Sequence, residues 1–175
     1  TGRQKAFMDP KHYDDVSGYT NPKESEHDLF TIGHTSTSLS LASGVLHARD
    51  LKNEKSNVVA IIGDGALSGG MAYEGLNTIA TLGTNAIIII NDNDQSIAKN
   101  PKGGIYTALE NLRKTKGQAT NNIFKALGYD YHYLEDGNNL EELISLFKEV
   151  KDIDHPVVLH IYTCLLYTSL SGLAR

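Results

Sequence analysis

Three uninterrupted apolar runs constrain this chain more than any other feature: Val58–Ile62, Ala86–Ile90 and Val157–Ile161. None alternates with polar residues, so none suits a sheet with one wet face. Such runs fit strands covered on both faces, as in a parallel sheet. Between them the apolar spacing becomes helical. Residues 35–50 place Leu39, Ala42 and Leu46 on one face, and Met71–Leu82 reads as a helix stopped by Gly83. Ile105–Lys116, Asn122–Leu127 and Leu140–Lys151 also read as helices, with Gly128 as a C-cap. Leu29–Ile32 and Tyr129–Leu134 add two short strand candidates. Residues 1–28 carry Gly2, Pro10, Gly18 and Pro22 without an apolar period and read as mostly loop, as do residues 91–104. Strands alternating with helices predict an α/β domain of three layers, a mostly parallel sheet between helices on both faces.

Composition excludes several classes. At 175 residues the chain suffices for one well-cored domain. Lys and Arg number 16 against 21 Asp and Glu, a net charge of −5, which disfavours a general nucleic-acid binder. The single Cys164 excludes an internal disulfide framework. No apolar run approaches the roughly 18 residues of a membrane helix. The expectation is a soluble, cytoplasmic domain with neither a nucleic-acid nor a membrane partner.

In parallel α/β sheets, ligands bind at the carboxyl ends of the strands. Three strand ends are informative. After Ile32 comes Gly33-His34-Thr35-Ser36-Thr37-Ser38, leading into a helix. Such a start suits an anion, although every helix invites a Ser/Thr cap. After Ile62 comes Gly63-Asp64-Gly65-Ala66-Leu67-Ser68-Gly69-Gly70, and Gly75 follows. These glycines would let the backbone turn tightly and approach a ligand. Asp64 would repel a phosphate there, unless a divalent cation lay between them. By itself, Asp64 reads more simply as shaping an Asp-Gly turn. After Ile90 comes Asn91-Asp92-Asn93-Asp94-Gln95-Ser96. From Asp64 to Asn93 is 29 residues, one loop, one helix and one strand, which returns the chain to an adjacent parallel strand. Asp64 and Asn93, with a nearby backbone carbonyl, would then offer hard oxygen ligands suited to Mg²⁺.

Gly-Asp-Gly followed about 30 residues later by Asn-Asp-Asn is similar to the thiamine diphosphate signature. Residues 33–38, 62–77 (IGDGALSGGMAYEGLN) and 90–97 (INDNDQSI), with His160-Ile161-Tyr162-Thr163, resemble the 1-deoxy-D-xylulose-5-phosphate synthase family of transketolase-like enzymes over residues 1–163. The resemblance implies the diphosphate-binding fold of thiamine diphosphate enzymes. It also implies decarboxylation of pyruvate and condensation with glyceraldehyde 3-phosphate, feeding isoprenoid, thiamine and pyridoxal biosynthesis, in a full-length homodimer. Carried over residue by residue, it implies Asp64, the Asn93 side chain and the Gln95 carbonyl as Mg²⁺ ligands. Gly33, His34, Thr35, Gly65, Ala66 and Asn93 would contact the cofactor. The family's activating Glu lies in a second domain that nothing here resembles, so the 175 residues alone are expected to be inactive.

The chain departs from the family in three places. It begins just after a His-Lys segment of the family, and the stretch after Ile97 leads into a segment shorter than in many members. After Thr163 the family's Lys-Gly-x-Gly-Tyr is absent, and residues 164–175 are expected to be a sequence artefact outside the fold. The alternatives are another transketolase-like enzyme, a nicotinamide-dependent oxidoreductase using Asp92 for a ribose, and a non-catalytic interaction module. The oxidoreductase would need no metal, and its glycine loop should follow the first strand, whereas Leu29–Ile32 reads as an earlier one. His160 reads as a satisfied core residue, Tyr129–Tyr133 as strand packing, and Arg113, Lys114 and Lys116 as a solvated helix end.

Overall fold

The computed structural model describes residues 2–96 and 98–164, with backbone only at 96, 98 and 99. Residues 165–175, most of the expected foreign tail, lie outside the described residues, as does Ile97 of the INDNDQSI stretch. The chain divides into two compact units, residues 1–35 and 36–175.

The first unit is less irregular than its composition suggests. It holds a short helix, α1 (Gln4–Met8), and a 3₁₀ helix over Pro10–Asp15. The Asp9 side chain caps the latter through the Lys11 N–H. Asp28, 9% exposed, organises the remainder. It accepts two hydrogen bonds from the Arg3 guanidinium, at 2.6 and 3.0 Å, and one from the Asn21 N–H at 2.8 Å. The strand expected at Leu29–Ile32 does not form. Ile32 makes one isolated bridge to Thr20, and Leu29 is exposed. A β-prone run gains little without a ladder partner along its length.

The second unit is the expected α/β domain. In chain order it runs α2 (Ser38–Leu51), β1 (Val59–Gly63), α3 (Gly70–Leu82), β2 (Ala86–Asp92), a hairpin of β3 (Gln95–Ser96) and β4 (Ala98–Lys99), α4 (Gly104–Lys114), α5 (Ile123–Ala126), β5 (Asp130–Leu134), α6 (Leu140–Val150) and β6 (Pro156–Tyr162). The main sheet has the order β1-β2-β6-β5, and every pairing in it is parallel. Asn side chains start two of the helices: Asn122 caps α5 and Asn139 caps α6, each accepting from two backbone N–H groups.

Side-chain alternation divides the core in two. On one face, Ala60, Ile62, Ile88, Ile90, Tyr131 and Val158 pack against Leu39 and Leu46 of α2, Leu76 and Ile79 of α3, Leu109 and Leu112 of α4, and Phe124. On the other, Ile87, Ile89, Val157, Leu159 and Ile161 pack against Val150, Leu143 and Leu146 of α6. The three-layer expectation therefore holds for the middle of the sheet. It fails at β1, where Val59 and Ile61 are 51% and 60% exposed. Both register beside Ile87 and Ile89, on the face carrying α6, so among the described residues β1 is covered on one face only.

Helices α2 and α3 meet at Gly75. A Cβ there would stand 2.7 Å from the Leu39 Cβ and 2.8 Å from two backbone atoms of α2. Gly44, on α2, has nothing within 4 Å of an added Cβ. The same substitution should therefore act in opposite directions. Gly75→Ala must push α2 and α3 apart and should lower stability by about 1–3 kcal/mol. Gly44→Ala removes a flexible helical residue and should raise it by roughly 0.5–1 kcal/mol. Urea unfolding of the two variants beside the parent checks both signs.

Candidate functional site

The register of β1 on β2 sets the geometry of the strand ends. Gly63 pairs with Asn91, and the Asp64 N–H reaches the Asn91 carbonyl at 3.3 Å. The Gly-Asp-Gly turn and the Asn-Asp-Asn turn are thus side by side, as their spacing predicts. Both the Asp64 and Asn93 turns leave from the carboxyl edge of the sheet. The β3–β4 hairpin, within a stretch expected to be plain loop, then folds back. The Asn100 N–H donates to the Asp94 carbonyl at 3.4 Å, and its side-chain amide donates to Asp64 Oδ2.

Asp64 is only 2% exposed. The hydrogen bond described to its carboxylate comes from the Asn100 side-chain amide, and among the described side chains no cation is paired with it. Burial pushes its carboxyl above the ordinary range. The Asn100 bond opposes that rise, and the Asp92 charge adds to it. A buried carboxylate without a cation is costly, and a divalent ion is one remedy. The donors nearby are oxygens. Asn93 Oδ1 accepts the Gln95 N–H at 3.1 Å and keeps a second lone pair, and Gln95 lies on the hairpin opposite Lys99. Among the described residues no three His, Cys, Asp or Glu side chains gather as a metal cluster. A set of one carboxylate, one amide oxygen and one carbonyl is a magnesium-type arrangement rather than a zinc-type one.

Gly65 and Ala66 open a 3₁₀ turn over Ala66–Ser68 that leads into α3. The Ser36 hydroxyl donates to the Ala66 carbonyl at 2.6 Å. Gly69 is required beside it, since a Cβ there would stand 2.4 Å from Ser36 Oγ. Gly69 and Gly75 thus serve the packing of α2 and its leading turn. The first turn of α3 has no side-chain cap. Gly33, His34 and Thr35 belong to the N-terminal unit, where Gly33 and His34 line a cleft with Tyr19, Thr20 and Ile32.

Asp92 is fully buried. Its Oδ2 accepts from His160 Nε2 at 2.8 Å and from Arg113 Nη1 at 2.6 Å, and its Oδ1 accepts the Asp94 N–H at 3.0 Å. Burial pushes this carboxyl up, but the bonds from His160 and Arg113 and their charges outweigh it and hold it below the usual range. His160 is a satisfied core residue, as expected, with Tyr131 Oη 2.7 Å from its Nδ1. Arg113 does not belong to a solvated helix end. Its side chain is 11% exposed and also binds Asp94 Oδ1 at 2.7 Å, whereas Lys114 and Lys116 are indeed exposed. The sequence reading missed Asn100 and Arg113. A lone Arg after two apolar positions of an amphipathic helix was the only local signal for the second.

These contacts bear on the oxidoreductase alternative. With no strand at Leu29–Ile32, the glycine loop does follow the first strand of the described sheet, so its position does not count against a dinucleotide. The burial of Asp92 does, because its carboxylate is engaged by His160 and Arg113.

Comparison with known proteins gives concordant matches. A sequence model described as 1-deoxy-D-xylulose-5-phosphate synthase matches residues 1–120 and 114–163. Proteins named 1-deoxy-D-xylulose-5-phosphate synthase from Listeria monocytogenes, Clostridium acetobutylicum and Dictyoglomus turgidum are 44%, 40% and 41% identical to the chain. Each alignment covers 93% of this chain but only 28%, 32% and 32% of the relative, so the chain spans less than a third of their length. The Listeria alignment runs over 169 residues and the other two over 198 and 199, in keeping with a shortened segment here. A solved structure described as a candidate thiamin diphosphate-dependent enzyme from Mycobacterium smegmatis shares the fold, with a TM-score of 0.55 and 18% identity over 76% of this chain and 23% of that one. By the extent of the family match and these identities, the chain belongs to the 1-deoxy-D-xylulose-5-phosphate synthase family.

Proposed function

We propose that this chain is the diphosphate-binding portion of a 1-deoxy-D-xylulose-5-phosphate synthase, a transferase that joins a two-carbon unit from pyruvate to glyceraldehyde 3-phosphate. The observation that carries the reading is Asp64, a buried carboxylate with no cation paired to it among the described side chains, beside the Asn91–Gln95 turn. Asp64, Asn93 Oδ1 and the Gln95 carbonyl would hold Mg²⁺, and the ion would neutralise both Asp64 and a diphosphate. Gly65 and Ala66 would present backbone to that diphosphate, and Gly33, His34 and Thr35 would border the cofactor. Thiamine diphosphate, when bound, supplies an electron sink for losing carbon dioxide from a 2-oxo acid.

The chain's own residues anchor and orient. Asp64 and Asn93 fix the metal end, and the buried network around Asp92 keeps the Asn93 turn in place. No described helix is long and apolar enough to cross a membrane. The working form we propose is a cytoplasmic homodimer of the full-length protein, with the activating Glu outside these residues.

Calorimetry with thiamine diphosphate should show binding that needs Mg²⁺ and vanishes with EDTA. NAD binding indifferent to EDTA would overturn the reading. Asp64→Ala should abolish the metal-linked binding while leaving the fold intact by circular dichroism; retained Mg²⁺-dependent affinity would count against Asp64 as a ligand. The 175 residues alone should form no deoxyxylulose phosphate from pyruvate and glyceraldehyde 3-phosphate, and product from the purified chain would contradict the proposed division of labour.

A further inference from the structure

The Asn91–Gln95 turn carries two of the three proposed metal oxygens, and one guanidinium holds it from both sides. Arg113 Nη1 donates to Asp92 Oδ2 at 2.6 Å and Nη2 to Asp94 Oδ1 at 2.7 Å, so the residues flanking Asn93 share one rigid fork. The Tyr162 ring lies 5.7 Å from the guanidinium carbon. Helix α4, which presents Arg113, is itself anchored in the core by Leu109 and Leu112.

Two features show that the fork does more than neutralise Asp92. Asp94 has φ +60°, a left-handed conformation uncommon outside glycine, and its N–H is tied back to Asp92 Oδ1. Its carboxylate is 41% exposed and could be solvated by water, yet it takes the second arm of Arg113. A fixed positive charge so near a cation site also opposes the cation. The first arm of Arg113 meets the charge of buried Asp92; its second arm, on half-exposed Asp94, is accounted for by geometry.

We infer that Arg113 is a positioning residue that sets the Asn93–Gln95 oxygens for the metal before the metal arrives. The inference rests on the magnesium reading proposed above. It gives Arg113 an effect on cation affinity without contact with the ion.

The test is a Mn²⁺ titration followed by electron paramagnetic resonance, with thiamine diphosphate present, on the full chain and two variants. Arg113→Lys keeps the charge but cannot fork, so charge alone predicts no change. Positioning predicts Mn²⁺ affinity weaker by roughly tenfold to a hundredfold, the range seen when residues that orient metal ligands are lost. Arg113→Met removes the charge, which alone would tighten Mn²⁺; positioning predicts weakening. Melting temperatures of the variants show whether they fold, and if Arg113→Met does not, Arg113→Lys decides. Parent-like Mn²⁺ affinity in folded Arg113→Lys, or tighter binding in Arg113→Met, overturns the inference and leaves the proposed function standing. Absence of Mn²⁺ binding by the parent chain overturns the magnesium reading, and this inference with it.

Discussion

A carboxylate can be withdrawn wholly from water only if its charge and lone pairs are met inside the protein. Asp92 satisfies that condition at the end of the central strand β2, and much of the site follows from it. Its partners come from three directions: His160 from β6, Arg113 from α4 and the Asp94 N–H from its own turn. The Asp92 carbonyl in addition accepts the Thr163 N–H at 2.8 Å, just past β6. One residue thereby joins the middle of the sheet, the helix over it and the turn that follows.

The second constraint is the parallel register of β1 on β2. It places Asp64 beside Asn91, and the hairpin brings the Asn100 amide to Asp64 from the other side. Asp92 and Asp64 are contrasting acids on neighbouring strand ends. Cationic and hydrogen-bonding partners hold the first below its usual range, whereas burial drives the second above it. The acid with a surplus of partners is structural. The one with no cation paired to it among the described side chains is the candidate ligand.

Much of this was legible in the residues because the three apolar runs are long, unbroken and spaced by single helices. The adjacency of Asp64 and Asn93 needed only that spacing. Other features were not legible. Leu29–Ile32 has strand composition, but strands exist by pairing, and only Ile32 finds a partner. Val59 and Ile61 look as buried as their neighbours in β2, yet their burial depends on what covers an edge strand. His160 meets Asp92 only because β6 inserts between β2 and β5, a sheet order that no local pattern encodes. The resemblance supplied a list of ligands but was silent on what holds them.

The central claim is that a divalent cation sits between the Asp64 turn and the Asn93 turn. Paramagnetic broadening by Mn²⁺ in amide spectra of the isotopically labelled chain, with thiamine diphosphate present, tests it most directly. The account predicts that the Asp64, Gly65, Asn93 and Gln95 signals vanish first while those at the opposite strand ends, such as Val59 and Val157, persist. Broadening centred elsewhere, with the Asp64 and Asn93 signals intact, would contradict it.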